Sequence, residues 1–479
     1  VAFSLVFPIT VAMCVVLGFL ILSYRETIKE YPSAGGAYLV TKDNFGPTVA
    51  QVAGASLLTD YILTVAVSAS AGTAALTSAF DALVPYRVPI ALFFIGLIAL
   101  GNLRGVKESG RIFAVPTYFF MVNMAILLSW GAWRYAAGEL PTFDDPVEGQ
   151  LHWGAAAGVG LLLGVKLFDV LHAFASGGAA VTGVEAISNG VPAFKKPAWR
   201  NARQTLVMMG TGLGIMFLGI SALAAVIHVT PFENGSPTVI AQIGEAVYGH
   251  ATLGDALFYS LQAGTMLILV MAANTGFADF PRLASFQAGD SFLPRQLTKR
   301  GHRLVYSNGV IALAAAAGFL VIVTGAEVTR LIPLYAIGVF TGFTLSQSGM
   351  TRHHIRKREP GWRKGVLING FGAFLSGLVA VIIAVTKFSE GAWAILIVLP
   401  ALVVIFLRLN RQYVREAHHL EVDVPAAATA PVLRRHVVLV FVDRLDLASA
   451  RAIQYARTLT PDELRAVHFV VDDDAARHL

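Results

Sequence analysis

Eleven long apolar stretches dominate the first 409 residues of this 479-residue chain. A helix needs roughly 20 mostly apolar residues to cross a lipid bilayer, and the stretches approach or exceed that length. Because the backbone must satisfy its own hydrogen bonds inside lipid, such segments form helices. The pattern therefore predicts an all-α integral membrane protein whose partner is the lipid bilayer. The stretches are 1–23, 49–77, 88–103, 112–133, 165–188, 204–229, 256–279, 305–325, 330–350, 366–387 and 391–409.

The charged residues support this interpretation because they are scarce. Only 46 of the first 407 residues are Lys, Arg, Asp or Glu, about 11%, whereas soluble domains contain about 25%. This shortage excludes a soluble enzyme or a disordered chain for the main body. The single cysteine, Cys14, excludes an internal disulfide and a cysteine-based metal cluster. We find no motif for covalent catalysis and expect no enzymatic activity and no cofactor.

The basic residues are distributed unevenly between the two sets of loops. One set carries 21 Lys or Arg residues, and the alternate set carries only Arg87, Arg134, Arg330 and Lys387. The positive-inside rule assigns the basic set to the cytoplasm. The bias also explains the net charge of +6 without any nucleic acid partner. We therefore expect a multi-pass protein of the cell (cytoplasmic) membrane with its C-terminus in the cytoplasm. Since eleven is odd and the chain starts with Val, we expect one preceding helix, twelve in all, rather than a signal peptide.

Three regions are predicted along the chain. Residues 1–409 form the transmembrane domain, and residues 410–433 form a cytoplasmic linker. Residues 434–479 show a strand, a helix and a second strand at His436–Val442, Leu447–Leu459 and Leu464–Val471. This order is typical of a parallel α/β domain, and two strands alone make only part of a sheet.

Glycines interrupt the fifth apolar stretch. Phe174–Glu185 contains Gly177, Gly178 and Gly183 around Thr182, and it ends in a carboxylate. Transporters with inverted repeats build midplane binding sites from broken helices of this kind, and an acid within a span normally faces a partner or a wet cavity. The alternative is that the glycines only permit close packing of helices. Glu185 is poorly explained by packing.

A second polar group lies in the second stretch. Tyr61, Thr64 and Ser68 are spaced to lie on one face of a helix, and Asp60 is adjacent. Hydroxyl groups in membrane helices often bond only to their own backbone. With Asp60 beside them and no basic residue nearby, we interpret these residues as part of a polar pathway.

Several segments resemble the amino acid–polyamine–organocation (APC) transporters. Tyr31–Tyr38 with Lys42–Gly46 resembles the loop after their second helix, and Ala284–Pro294 resembles the loop after their eighth. Thr182–Lys195 and Leu58–Ser68 are similar to bacterial potassium importers of the KUP type, particularly KimA-like proteins. The tail resembles part of a universal-stress-protein module.

The resemblance implies a LeuT-like fold, with two inverted five-helix repeats plus two helices, of which the first helix is missing here. It implies that Tyr61, Ser68, Thr182 and Glu185 surround a bound potassium ion. Asp60 and Tyr335 match positions in the ion pathway. A chain without the first helix is not expected to transport.

The predicted function is potassium import with proton coupling by alternating access, in which Glu185 exchanges the proton. Potassium and protons are the transported species. The resemblance also implies a homodimer formed through the tail and a cyclic dinucleotide regulator. Two alternatives remain open: a proton-coupled amino acid permease of the same superfamily, and a membrane-anchored nucleotide sensor, for which the tail lacks a glycine-rich phosphate loop.

Overall fold

The fold is that of a computed structural model, which describes residues 3–32, 35–105, 110–143, 147–150, 165–301, 305–422, 435–442 and 444–468. The chain separates into two compact units, Val1–Arg411 and Gln412–Leu479.

The first unit is built from α-helices, and in the described residues five of the connections between them contain a 3-10 helix. The 3-10 helices are Asp81–Tyr86, Gly178–Val181, Val191–Ala193, Arg295–Thr298 and Phe388–Glu390. The α-helices are α1 (Phe3–Glu30), α2 (Gly36–Phe45), α3 (Pro47–Ala79), α4 (Arg87–Leu103), α5 (Gly110–Ala137), α6 (Leu167–Gly177), α7 (Val184–Asn189), α8 (Ala198–Ile227), α9 (Val239–Tyr248), α10 (Thr252–Gly289), α11 (Ser307–Thr324), α12 (Val328–Lys357), α13 (Trp362–Thr386) and α14 (Ala392–Val422), the last continuing into the second unit.

Eleven helical segments in the described residues are long and apolar enough to cross a membrane. This confirms the all-helical membrane class and the number of spans predicted from the sequence. The fifth span, Leu167–Asn189, is not one continuous helix, because it contains both α6 and α7. The protein is therefore a multi-pass membrane protein whose fifth described span is divided into two α-helices.

Helix α3 lies at the centre of the first unit. About 78% of its apolar segment is enclosed by protein, more than in any other span of the described chain. It packs mainly against α10 and α12. Small residues allow the close crossing with α10: a Cβ atom added to Gly276 would lie 2.9 Å from the Tyr61 carbonyl oxygen and 2.7 Å from Val65. Asp60 and Tyr61 are thereby held inside the bundle.

Contacts between loops show which loops lie at the same end of the helix bundle. The grouping agrees with the alternation of spans along the chain. At one end, Lys42 in the last turn of α2 lies 2.6 Å from the carboxylate of Asp290 after α10. We call this the basic-loop end, since the loops with most Lys and Arg meet there. At the opposite end, Arg87 donates a hydrogen bond to the carbonyl of Asn234, 3.1 Å away. Which end faces the cytoplasm stays a prediction.

The second unit contains a strand, a helix and a strand in the predicted order. Strand β1 (Val437–Phe441) pairs in parallel with β2 (Glu463–Val467), and α15 (Leu447–Thr458) connects them. Val440, Val442 and Ala456 form its small core. The end of the second predicted strand, beyond 468, lies outside the described residues. The boundaries at 409 and 433 and the likeness to a universal-stress-protein module stay predictions.

Candidate functional site

The helix break lies within the glycine-rich stretch that the sequence singled out. Helix α6 ends at Gly177, and a 3-10 turn follows. Thr182 is then extended, with φ −76° and ψ 167°. Gly183 has φ +83°, in the left-handed region that favours glycine. The regular helical hydrogen bonding therefore stops between α6 and α7, which leaves backbone groups available to a ligand.

Thr182 and Tyr335 meet at this break. The Tyr335 hydroxyl of α12 donates a hydrogen bond of 2.7 Å to the Thr182 Oγ1 atom. Thr182 in turn donates to the Ala179 carbonyl oxygen, also at 2.7 Å. The Tyr335 side chain is only 8% exposed. The structure thus brings together two of the predicted residues that are 153 positions apart.

Glu185 lies in the first turn of α7 and is buried beside Asp60 of α3. Their carboxyl groups are close enough to act on each other electrostatically. Neither oxygen of Glu185 makes a hydrogen bond to a described residue. Neither acid forms an ion pair with a described Lys, Arg or His. Two buried acids therefore face each other without a basic partner in the described part of the chain.

Tyr61 is linked to the same region through α7. Its hydroxyl accepts a 2.7 Å hydrogen bond from the Nδ2 atom of Asn189, which is one turn after Glu185. Both side chains are 4% exposed. Tyr61 is also an electrostatic neighbour of Asp60 and Glu185. Tyr61 and Glu185 consequently face the same polar interior.

Thr64 and Ser68 lie on the same face of α3 as Asp60, one and two helical turns farther from the basic-loop end. The Thr64 hydroxyl lies 3.5 Å from the Asp60 carboxylate and close to the hydroxyl of Tyr335. Ser68 is buried one turn further along. In the described part of the chain its hydroxyl makes no hydrogen bond to Thr182, Glu185 or Tyr61. A role for Ser68 as an ion ligand stays a prediction.

Sequence reasoning overlooked three residues of this region: Asn189, Asp279 and Tyr24. Asp279 of α10 is 8% exposed and acts electrostatically on both Tyr61 and Glu185. An acid inside an apolar stretch was the signal used for Glu185, and it applied equally to Asp279. Tyr24 of α1 is fully buried and is a neighbour of Glu185 and Asp60. Its sequence context contains no comparable signal.

The site offers oxygen atoms of three kinds. Hydroxyl groups come from Tyr61, Thr182 and Tyr335, carboxylates from Asp60 and Glu185, and carbonyls from the broken backbone. Among the described residues, no group of three or more His, Cys, Asp or Glu is placed to hold a metal ion through those side chains. Oxygen ligands of mixed type suit a dehydrated monovalent cation rather than a transition metal.

Comparisons with known proteins agree with this chemistry. The family profile described as amino acid permease matches residues 2–407, and the profile described as KimA potassium transporter C-terminal domain matches residues 434–479. The chain is 43% identical over 471 residues to the potassium transporter KimA of Bacillus subtilis (strain 168), which covers 98% of this chain and 74% of that protein. Over 124 residues it is 31% identical to the low-affinity putrescine importer PlaP of Escherichia coli (strain K12), which covers 25% of this chain and 26% of that protein.

Proposed function

The chain belongs to the amino acid permease family of the APC superfamily, and on this premise we propose that it imports potassium together with protons by alternating access. The similarity to KimA extends over nearly the whole chain. This supports potassium rather than an amino acid as the substrate. The observation that carries the proposal is the pair of buried acids at the helix break.

Asp60 and Glu185 require a positive partner because of where they lie. A charged acid at the centre of a membrane helix costs roughly 2.5–3.5 kcal/mol, and two adjacent acids repel each other as well. No described basic side chain pairs with either one. A bound cation or a bound proton therefore supplies the compensating charge in each state of the site.

Potassium ligands are proposed to come from three elements. Tyr61 and Ser68 of α3, Thr182 at the break, and Glu185 of α7 surround the ion. Asp60, Thr64 and Tyr335 line the pathway by which it reaches them. The bond from Tyr335 to Thr182 orients the threonine hydroxyl, so that a lone pair of its oxygen is held at a constant position.

Proton coupling follows because potassium and a proton compete for the Glu185 carboxylate. When potassium is present, its charge favours the ionised carboxylate, and when potassium leaves, burial beside Asp60 favours the protonated form. The acid therefore gains and loses a proton as the ion binds and leaves. Rocking of the bundle against the broken helix then exposes the site to one side of the membrane at a time.

The test is uptake by the full-length transporter carrying Glu185→Gln. We expect potassium-dependent growth of a transport-deficient strain and proton-coupled rubidium uptake to fall by about 100-fold or more, since one charge-assisted contact and the coupling acid are both lost. Glu245→Gln is the matched control, because Glu245 lies exposed on α9. Proton-coupled uptake that is equal in the two variants would remove the coupling role.

The second candidate function is a proton-coupled permease for amino acids or polyamines. It is favoured by the description of the matching family and by the partial similarity to a putrescine importer. Competition distinguishes the two: an excess of unlabelled potassium abolishes rubidium uptake under our proposal, whereas a mixture of amino acids and putrescine leaves it unchanged.

Regulation and assembly are proposed for the second unit. We propose that the protein forms a homodimer through the tail, that a cyclic dinucleotide regulates it, and that this unit lies in the cytoplasm. The match of residues 434–479 to the C-terminal domain of a potassium transporter supports a role tied to transport rather than an independent nucleotide sensor. Calorimetry with a cyclic dinucleotide on the full-length protein tests the regulator.

A further inference from the structure

A small cavity lies beside Tyr61 and Asn189, on the side of the acid pair toward the basic-loop end. Its volume is about 10 Å³, which is roughly the space that one water molecule needs. Its polar lining comes from Tyr61, Asn189, Asp279 and Arg282. Tyr61, Asn189 and Asp279 are each less than 10% exposed. Leu57, Leu283 and Phe286 complete the lining. A cavity of this size, with polar side chains on part of its wall, suits a single dehydrated cation or a water molecule.

Three side chains bring oxygen atoms to the cavity, and they differ in the hydrogen bonds and ion pairs that they make. The Tyr61 oxygen accepts one hydrogen bond, from Asn189 Nδ2 at 2.7 Å, and can still face a cation with a second lone pair. The Asn189 Oδ1 atom is buried and makes no hydrogen bond within the described chain. The Asp279 carboxylate lies 4.0 Å from the Arg282 guanidinium, at the outer limit of an ion pair.

The cavity lies on the route from the acid pair to the basic-loop end. Asn189 is one helical turn nearer that end than Glu185. Gly276, which contacts the Tyr61 backbone, precedes Asp279 by three residues, so Asp279 also lies one turn nearer the same end. Gly35, in the loop before α2, contributes to the lining on the outer side. The cavity therefore separates the acid pair from the loops at that end.

We propose that Tyr61, Asn189 and Asp279 form a second binding position for a monovalent cation, where potassium rests after it leaves Glu185 and Asp60. Tyr61 contributes to both positions and so passes the ion from one to the other. This inference rests on the proposed potassium transport and adds the step by which the ion is released. It assigns Asn189 and Asp279 to ion binding and Arg282 to its control.

Arg282 acts as a built-in competitor at this position. Its side chain is 43% exposed, so the guanidinium can move out toward water while a cation occupies the cavity. When the ion leaves, the guanidinium returns to Asp279 and compensates its charge. Because the returning guanidinium repels cations, it also opposes entry of potassium from the basic-loop end. Release in one direction is thereby favoured.

The test compares Asp279→Asn and Asp255→Asn in the full-length transporter. Asp255 lies exposed in the first turn of the same helix and serves as the control. Rubidium uptake by intact cells reports the affinity for rubidium at the end opposite the basic-loop end. Uptake by everted membrane vesicles reports the affinity at the basic-loop end. We expect Asp279→Asn to raise the half-saturating rubidium concentration in everted vesicles by about tenfold, equivalent to about one charge-assisted contact. In intact cells the half-saturating rubidium concentration should rise by less than it does in everted vesicles.

A second variant keeps the inference testable if Asp279→Asn does not fold. Arg282→Gln removes the competitor, so it should lower the half-saturating concentration in everted vesicles by about threefold to tenfold. The shift in everted vesicles should exceed the shift in intact cells. Opposite shifts for Arg282→Gln and Asp279→Asn support the second position.

The outcomes separate this inference from the proposed function. If the unaltered protein shows no rubidium uptake that potassium inhibits, the proposed function itself fails. If the unaltered protein transports rubidium, but Asp279→Asn and Arg282→Gln both match Asp255→Asn in everted vesicles, the second position is overturned while the proposed function stands.

Discussion

Gly183 determines the shape of the broken span at the scale of a single residue. Its φ of +83° reverses the chain between the extended Thr182 and the first turn of α7. Residues with a side chain adopt this conformation only with strain. As a consequence, the Thr182 hydroxyl points to Tyr335 and Glu185 points to Asp60. One backbone angle thus brings two candidate ligands into position.

Replacing Gly183 with Ala should destabilise the protein by about 1–2 kcal/mol. No atom lies within 4 Å of the added Cβ position, so the loss comes from backbone strain rather than from a steric clash. Because the strain falls between Thr182 and Glu185, rubidium uptake should also fall. Thermal unfolding in detergent and uptake measurements check this prediction.

Gly214→Ala is the matched control for this prediction. Gly214 lies within α8, and it too has open space around its added Cβ. Alanine there should be neutral or stabilising by up to about 1 kcal/mol, owing to its higher helix propensity. Equal effects of the two substitutions would show that the conformation of Gly183 is unimportant.

At the scale of elements, three polar side chains join α6 to the connection between α13 and α14. His172 of α6 contacts the Glu390 carboxylate, and Lys387 lies 2.9 Å from both His172 and Glu390. This cluster lies near the start of the broken span, opposite the basic-loop end. It ties α6, the first half of the broken span, to the connection between α13 and α14.

The cluster predicts a pH dependence through Glu390. Burial raises the pKa of this carboxyl group, but the contacts with Lys387 and His172 outweigh burial and hold the pKa below its ordinary value of 4.5. Because the pKa is lowered on folding, the ionised carboxylate stabilises the folded protein above pH 4.5. This stabilisation is lost as the pH falls through the lowered value.

Glu390→Gln should therefore lower the unfolding temperature near neutral pH, and the difference from the unaltered protein should vanish under acidic conditions. Thermal unfolding measured across a pH series checks this. Glu139→Gln is the control, because Glu139 is exposed and its side chain makes no ion pair in the described chain. A difference that is independent of pH would contradict the assignment to Glu390.

At the scale of the whole molecule, the distribution of basic residues determines the expected sidedness. The basic-loop end contains Lys42 and Asp290, and the opposite end contains Arg87 and Glu139. The positive-inside rule assigns the basic-loop end to the cytoplasm. Asn410, within α14, lies 3.4 Å from the Asp290 carbonyl oxygen at the basic-loop end, and the second unit follows α14 in the sequence. If that end faces the cytoplasm, the tail would lie in the cytoplasm, and the proposed second cation position would lie on the cytoplasmic side of the acid pair.

Labelling of single cysteines tests this sidedness. In a protein carrying Cys14→Ser, a membrane-impermeant thiol reagent should label Glu139→Cys in intact cells. It should label Tyr455→Cys, an exposed position of the second unit, only after the cells are permeabilised. Labelling of Tyr455→Cys in intact cells would reverse the orientation and, with it, the direction of import.

The amino-acid sequence by itself determined the class of the protein and its local features. Long apolar stretches specify helical spans because, inside lipid, a single segment can satisfy its own backbone hydrogen bonds only as a helix. Glycine spacing indicated the break near Gly183, since the conformation of that residue is a local property. Isolated acids within apolar stretches indicated Asp60 and Glu185, and the same signal was overlooked at Asp279.

Only the tertiary structure decided which of these residues meet. Asn189 bonds to Tyr61 across 128 positions, and Tyr335 bonds to Thr182 across 153. No local pattern encodes such pairs, because they depend on where two helices cross and how they are rotated. That geometry is set by packing contacts such as Gly276 against the Tyr61 backbone. The same packing encloses the cavity beside Asp279, because the cavity exists only where three separate helices meet.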